Sequence, residues 1–572
     1  KIAVDGGEAQ QMTEEPLDVG NLHVSRDGAY VAYTMEVFPD ANAADTKKRL
    51  DEREKAKSSG QIYDRLFVRH WDVWEDGRRS HLFVKPVAGG RSVDVMRGMA
   101  SDVPSYPFGG PEEITFAPDS KGIVFATKDV GREEAWSTDF DLYYAPMDGS
   151  QSPRNLTEDN PAWDSYPAFS PDGKTLAYLA MARPGFESDR FQIVLQDWPK
   201  GNKRLLAKDW DRSPSFITWS PDGSQIFAIA ENTGQGSLFA IDVKDGKTRT
   251  VIKEGTVQGF DIVNDQIVYA LSNLKHPAEL YRTSTTAWQK QSGESVRQLT
   301  NINAEKVAAA RMGDYEQFSF LGWNDETVYA YVVKPADFDS TKRYPLAFLI
   351  HGGPQGSFGN IFHYRWNPQT YAGAGYAVVM VDFHGSTGYG QAFTDAIRGD
   401  WGGKPLADLQ KGLAAALDRY SWMDRDRVGA LGASYGGYMV NWIAGRWPDR
   451  FRCLVNHDGS IDERMSYFDT EELWFAEWEH EGTPWDNPAG YEDQNPVRFV
   501  GQWKTPMLVI HGGLDFRVPV TQGLGTFNAL QRRGIPSKLL YFPDENHWVL
   551  KPQNSILWHD TVLGWLDQWL KK

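Results

Sequence analysis

Gly432-Ala433-Ser434-Tyr435-Gly436-Gly437 has the residue types that turn a serine into a nucleophile. Residues 427–431 before it are apolar and read as a buried strand, and residues 438–444 after it are apolar at helical spacing. Strand, tight glycine turn and helix form the setting in which Gly-x-Ser-x-Gly presents an exposed, strained serine. The amide of Tyr435 and the helix N-terminus then face any negative charge that develops on a substrate carbonyl.

A serine alone is a weak nucleophile and needs a base, an acid to orient the base, and donors for the oxyanion. In this strand–turn–helix arrangement the chain order is serine, acid, histidine. Beyond residue 511, which follows the penultimate strand, two histidines remain. His559 falls on the last predicted helix, and His547 lies in the loop that follows the strand at 538–542, so His547 is the predicted base. The acid should follow the strand at 507–510, where the loop to Pro519 offers one carboxylate, Asp515. Asp544 is read as shaping its own turn. His351-Gly352-Gly353-Pro354 ends an earlier strand, and its glycine amides can approach a carbonyl without side-chain obstruction.

These pieces require strands whose carboxyl ends share one edge. From about residue 305 apolar strands at 346–350 and 377–381 alternate with helices such as 407–420, the rhythm of a mostly parallel, doubly wound sheet. The chain closes on an amphipathic helix, 556–570. The first 300 residues read differently. Ser-Arg-Asp-Gly at 25–28, Ala-Pro-Asp at 117–119, Ser-Pro-Asp-Gly at 170–173 and 220–223, and Asn-Asp at 264–265 each precede an alternating apolar run. Hairpin turns recurring every 40–50 residues predict β-propeller blades, with a β-sandwich array as the rival. About six blades are expected, one of them built from 66–70 and 81–84. The division is a propeller at 1–304 and a catalytic domain at 305–572. The first residues read as the end of a strand and a turn, which predicts further blades upstream.

The chain has 572 residues, a formal charge of -17 and one cysteine, Cys453, read as a core residue. The acidic balance argues against nucleic acid, and no apolar run is long enough to span a membrane. No histidine or carboxylate cluster shows metal-ligand spacing, so neither metal nor cofactor is expected. The charged run at 46–57 predicts an exposed helix. Location stays open: periplasmic if a signal peptide was removed upstream, otherwise cytoplasmic.

Taken together, the chain resembles the prolyl oligopeptidase family of serine peptidases. The residues that carry this are His351-Gly352-Gly353-Pro354, Gly385-Ser386-Thr387-Gly388-Tyr389-Gly390, the serine motif through Tyr438, Asp515-Phe516-Arg517-Val518-Pro519 and Asn546-His547. Residues 48–54, 63–66 and 69–71 look like the branch of acylaminoacyl-peptidases and dipeptidyl-peptidases V. The resemblance implies a propeller over an α/β-hydrolase domain, with Ser434, Asp515 and His547 as the triad and Gly353 and Tyr435 as oxyanion donors. It also implies that Arg517 holds the carbonyl before the cut and that Val518 lines the pocket at the cut. Trp474, Phe475 and Trp478 are candidates to complete that pocket, with core packing the even alternative. Glu133 and Glu134 are candidate anchors for a free amino terminus. The implied partner is an oligopeptide, with a homodimer left open. The expected activity is dipeptide release; removal of a blocked residue, or ester hydrolysis, is the alternative, and a binding module with a relic hydrolase half is the reading from another class.

Overall fold

The computed structural model describes residues 1–286 and 296–571. Among them the N-terminal half forms five four-stranded antiparallel units. The first comprises Gly20–Val24, Tyr30–Val37, Arg79–Pro86 and Val93–Asp94, and the second begins at Ile114–Phe116. The third and fourth begin at Asp164–Phe169 and Pro214–Trp219, and the fifth runs from Thr256–Val263 to Arg297–Gln298. One parallel bridge, Gly236 to Thr256, merges the last two into a single sheet.

The repeated motif is the turn between the first two strands of every unit. In the third unit Ser170 Oγ donates to Asp172 at 2.7 Å, the Asp172 carboxylate accepts from Lys174 N, and Thr175 N donates back to Ser170. Gly28, Gly173 and Gly223 take φ near +70° at the same place, and Ser120 and Asn264 adopt the left-handed conformation where glycine is missing.

Two expectations need correction. There are five units rather than six. Residues 81–84 belong to the third strand of unit one, and 69–74 form only a small hairpin, Arg69–His70 against Val73–Trp74. The second strand of unit one pairs with the third across a long insertion that holds this hairpin and the predicted charged helix, Ala43–Glu54. Nor do the first residues form a strand: 1–19 is irregular, and Met12 and Leu17 pack on the outer face of unit one.

The C-terminal half is an eight-stranded sheet. Its strands are β1 (Tyr315–Leu321), β2 (Thr327–Val333), β3 (Tyr344–Ile350), β4 (Ala377–Asp382), β5 (Met423–Ala433), β6 (Cys453–His457), β7 (Met507–Gly512) and β8 (Ser537–Phe542). They lie in the order β1-β2-β4-β3-β5-β6-β7-β8, antiparallel as far as β4 and parallel beyond it. Helices cover both faces, among them Lys404–Arg419, Tyr435–Arg446 and Pro552–Leu570. Each face therefore carries a large apolar cluster, which is why β3, β4 and β7 are continuous apolar runs. Cys453 is buried in β6. Among the described residues no helix is long and apolar enough to cross a membrane.

Candidate active site

Strand register decides where the chemistry falls. Ile350 pairs with Gly432, Ala433 with His457, His457 with Ile510, and Gly512 with Phe542. The carboxyl ends of β3, β5, β6, β7 and β8 are thus level on one edge, where ligands bind in open α/β sheets.

Ser434 leaves β5 with φ 59° and ψ −125°, as N-cap of the helix Tyr435–Arg446. This is a strained conformation for a residue with a side chain, held by the close approach of backbones around it. A Cβ at Gly432 would collide with the carbonyl of Gly436, and one at Gly437 would lie 2.6 Å from Gly459 Cα. Ser434 N donates to His457 O at 3.1 Å and to Asp458 Oδ1 at 2.7 Å. Gly352 packs directly on the serine: a Cβ there would be 3.2 Å from Ser434 Cβ. Gly353, with φ 121°, lines the same cavity. The Tyr435 hydroxyl donates to Trp401 O at 2.6 Å in the core, so only its amide is placed to serve the serine.

His547 and Asp515 come together as predicted, with His547 Nδ1 2.7 Å from Asp515 Oδ2. Asp515 Oδ1 accepts from Val518 N at 2.9 Å. Burial pushes Asp515 up to about 7 and holds the His547 imidazole below its ordinary value, which favours the neutral base. Ser434 and His547 line one cavity of about 670 Å³, although no hydrogen bond joins their side chains. Such links are commonly loose before substrate binds.

The sequence reading missed a second carboxylate. Asp458 follows β6, is fully buried with φ 41°, and places Oδ2 3.5 Å from His547 Nδ1. Burial raises it to about 7. A lone Asp between His457 and Gly459 carries no motif, so only the register of β6 could reveal it.

Arg517 and Val518 line the cavity as expected. Arg517 is also locked to Glu472 and lies 3.5 Å from Glu471. Burial opposes the Glu472 charge, but Arg517 and His70 overcome it and hold the carboxyl at about 2. His70 reaches Glu472 at 2.7 Å from the hairpin of unit one. The same hairpin touches both catalytic loops: Phe516 N donates to Trp71 O at 3.1 Å, and Asn546 Nδ2 to Asp72 at 2.8 Å. No periodicity marks such a tertiary contact between residues more than 400 apart.

Trp474 and Phe475 line the cavity, and Trp474 Nε1 donates to Glu187 at 2.9 Å. Trp478 does not; it stacks on Phe186 at 4.4 Å, because its place on the short helix Leu473–Glu479 turns it away. The glutamate pair is a second correction. Glu133 is exposed, Glu134 forms a two-point pair with Arg79 at 2.9 and 2.7 Å, and neither lines the cavity. Two carboxylates of the N-terminal half line it: Glu113, which accepts from Ser105 and Ser165, and Glu187, which accepts from Trp474 and is pushed up to about 7 by burial and then by the charge of Glu472. Two triplets have metal-ligand types, His70 with Glu471 and Glu472, and Asp458 with Asp515 and His547. Arg517 already neutralises the first, and the second contains the predicted base and acid, His547 and Asp515.

Comparison with known proteins follows this geometry. The model of the prolyl oligopeptidase family matches residues 362–572. The dipeptidyl-peptidase 5 of Schizosaccharomyces pombe is 38% identical over 534 residues, covering 90% of this chain and 76% of that protein. The dipeptidyl-peptidase 5 of Porphyromonas endodontalis is 35% identical over 590 residues, covering 100% and 82%. Among solved structures, an acylaminoacyl peptidase in complex with Z-Gly-Gly-Phe-chloromethyl ketone superposes with TM-score 0.81 at 21% identity, over 100% of this chain and 84% of that one. Uncomplexed Pyrococcus horikoshii acylaminoacyl peptidase gives 0.79 at 21% identity, over 98% and 84%. At that identity the likeness concerns the fold.

Proposed function

This chain belongs to the prolyl oligopeptidase family, and on that premise we propose that it is a serine exopeptidase releasing dipeptides from the free amino terminus of oligopeptides. Ser434 attacks the carbonyl while His547, oriented by Asp515, takes its proton. The amides at Gly353 and Tyr435 hold the oxyanion. His547 then gives the proton to the leaving amine, and water hydrolyses the acyl-enzyme. The five N-terminal units act as propeller blades lying over the sheet edge. Trp474, Phe475 and Val518 receive the side chain at the cut, Arg517 the preceding carbonyl, and Glu187 the terminal amine.

The observation that carries this reading is the shared cavity. Ser434 and His547 of the C-terminal half and Glu187 of the N-terminal half all line it. Its volume suits a short peptide rather than a folded chain. The test is a dipeptidyl reporter with a free or an acetylated amine. The free form should be cut by wild type and spared by Ser434→Ala; cleavage of the acetylated form alone would overturn the assignment. That reversal is what a second reading predicts, removal of a blocked amino-terminal residue. It draws on the placement of the predicted glutamate pair: Glu134 is engaged by Arg79, and neither residue lines the cavity.

A further inference from the structure

Two arginines line the cavity, and they differ in one respect. Arg517 is neutralised by Glu471 and Glu472. Arg365 has no carboxylate partner within ion-pair distance among the described residues, and its Nη1 is buried without a hydrogen-bond acceptor. Its guanidinium lies against aromatic faces, 4.2 Å from the Trp548 ring centroid and 4.8 Å from that of Trp366, with the Asp458 carboxylate acting on it from beyond ion-pair distance. Burial draws its pKa down to about 10. A half-buried cation with no carboxylate in ion-pair contact is costly, and fold stability gives no reason to keep one. The site is built for an anion that arrives from outside.

Its position says which anion. Trp548 follows the base in sequence and stacks on Phe108 at 5.1 Å, while Trp71 lies 5.6 Å from the His547 ring. The histidine protonates the leaving amine, so the leaving part of the substrate lies on the side of His547 and Trp548. Arg517 and Val518 belong to the acyl side. Arginine offers a planar two-point donor set that matches a carboxylate.

We propose that Arg365 binds a carboxylate on the leaving-group side of the substrate, supplied by the carboxyl terminus of a peptide cut close to its end. The inference rests on the dipeptidyl reading and narrows it: very short peptides with a free carboxyl terminus are the favoured substrates. Trp71 and Trp548 form the apolar wall beside the ion pair.

The test compares kcat/KM for Ala-Ala-Gly, its carboxyl-terminal amide and Ala-Ala-Asp amide, read as Ala-Ala released. Wild type should prefer the free acid over the glycine amide by about tenfold, as expected for one charged hydrogen-bonded contact. Arg365→Gln should bring that ratio close to one, and Arg365→Lys, which keeps the charge, should retain part of it. Recovery of the preference by the aspartate amide assigns the contact to any nearby carboxylate, still through Arg365. Equal rates for acid and amide, or an unchanged ratio in Arg365→Gln, overturn the proposal. A second readout does not depend on dipeptide release: protection of Ser434 from a fluorophosphonate probe by N-acetylglycine against N-acetylglycinamide. Absence of Ala-Ala from all three peptides would sink the dipeptidyl reading alone, whereas equal protection by acid and amide would sink the arginine assignment alone.

Discussion

The two halves of the chain bury their apolar residues in different ways, and the difference separates chemistry from selection. In the C-terminal half one sheet is sandwiched between two large apolar clusters that bind β1–β8 and their helices into a single body. In the N-terminal half the clusters are smaller, and four of them are shared by neighbouring units: Val84 with Phe125, Ala126 with Tyr178, Leu179 with Ile226, Phe227 with Tyr269. Energy in such an array is a sum over neighbours, so insertions between strands are tolerated. The insertion of unit one exploits this, sending His70, Trp71 and Asp72 onto the loops that carry Asp515 and His547. The sheet edge thus carries Ser434, Asp515 and His547, while the repeat contributes side chains that pack on their loops.

The sharpest attack on this division is Ser434→Ala. Turnover of a dipeptidyl reporter should fall on the order of 10⁶-fold with the melting temperature nearly unchanged; loss within tenfold would place the chemistry elsewhere. Asp515→Asn should cost about 10⁴-fold in kcat, since the imidazole loses its orienting anion. If Asp458 can replace it, being 3.5 Å from the same nitrogen, the loss will be far smaller, and Asp458→Asn measured alongside separates the two. The junction between the halves is probed by Glu472→Ala, which strands Arg517 without its close partner. Denaturant unfolding should report a loss of about 3–5 kcal/mol.

A weaker signature is the pH profile of kcat/KM. Burial favours the neutral imidazole of His547, so its proton leaves below the ordinary 6.5. Activity should persist through 6.5 and fall only as pH drops further; an acid limb centred above 6.5 would show that Asp515 or Asp458 governs the titration instead. The smallest effect separates two glutamates. Glu133→Gln should change KM for a free dipeptidyl reporter by less than about twofold, as an exposed surface change does, and Glu187→Gln should raise it by about tenfold, as loss of a charged contact does.

Much of the site was legible in the linear chain because the motifs are local. The serine turn needs Gly432 for a backbone contact four residues away, at Gly436, and Asp515 follows an apolar run that is a buried strand while His547 follows the edge strand β8. The five hairpin turns were equally plain, three closed by an Asp-Gly pair and two by an Asp with Ser120 or Asn264 in the left-handed position; miscounting came from assigning a unit to residues with no such turn. What stayed hidden depends on partners remote in sequence. Glu134 looked free because Arg79 is 55 residues away, Trp478 looked like a pocket residue because helical spacing does not say which side faces the cavity, and Asp458 had no motif at all.

By itself, then, the order of residues determined the strand ends, the turn that exposes Ser434 and the repeat of small sheets, because each follows from short-range sterics and apolar periodicity. Only the tertiary structure decided which charges are neutralised and which stay open. Arg517 and Arg365 are the same residue type in the same cavity, and what distinguishes them is whether a distant part of the chain brings a carboxylate within reach.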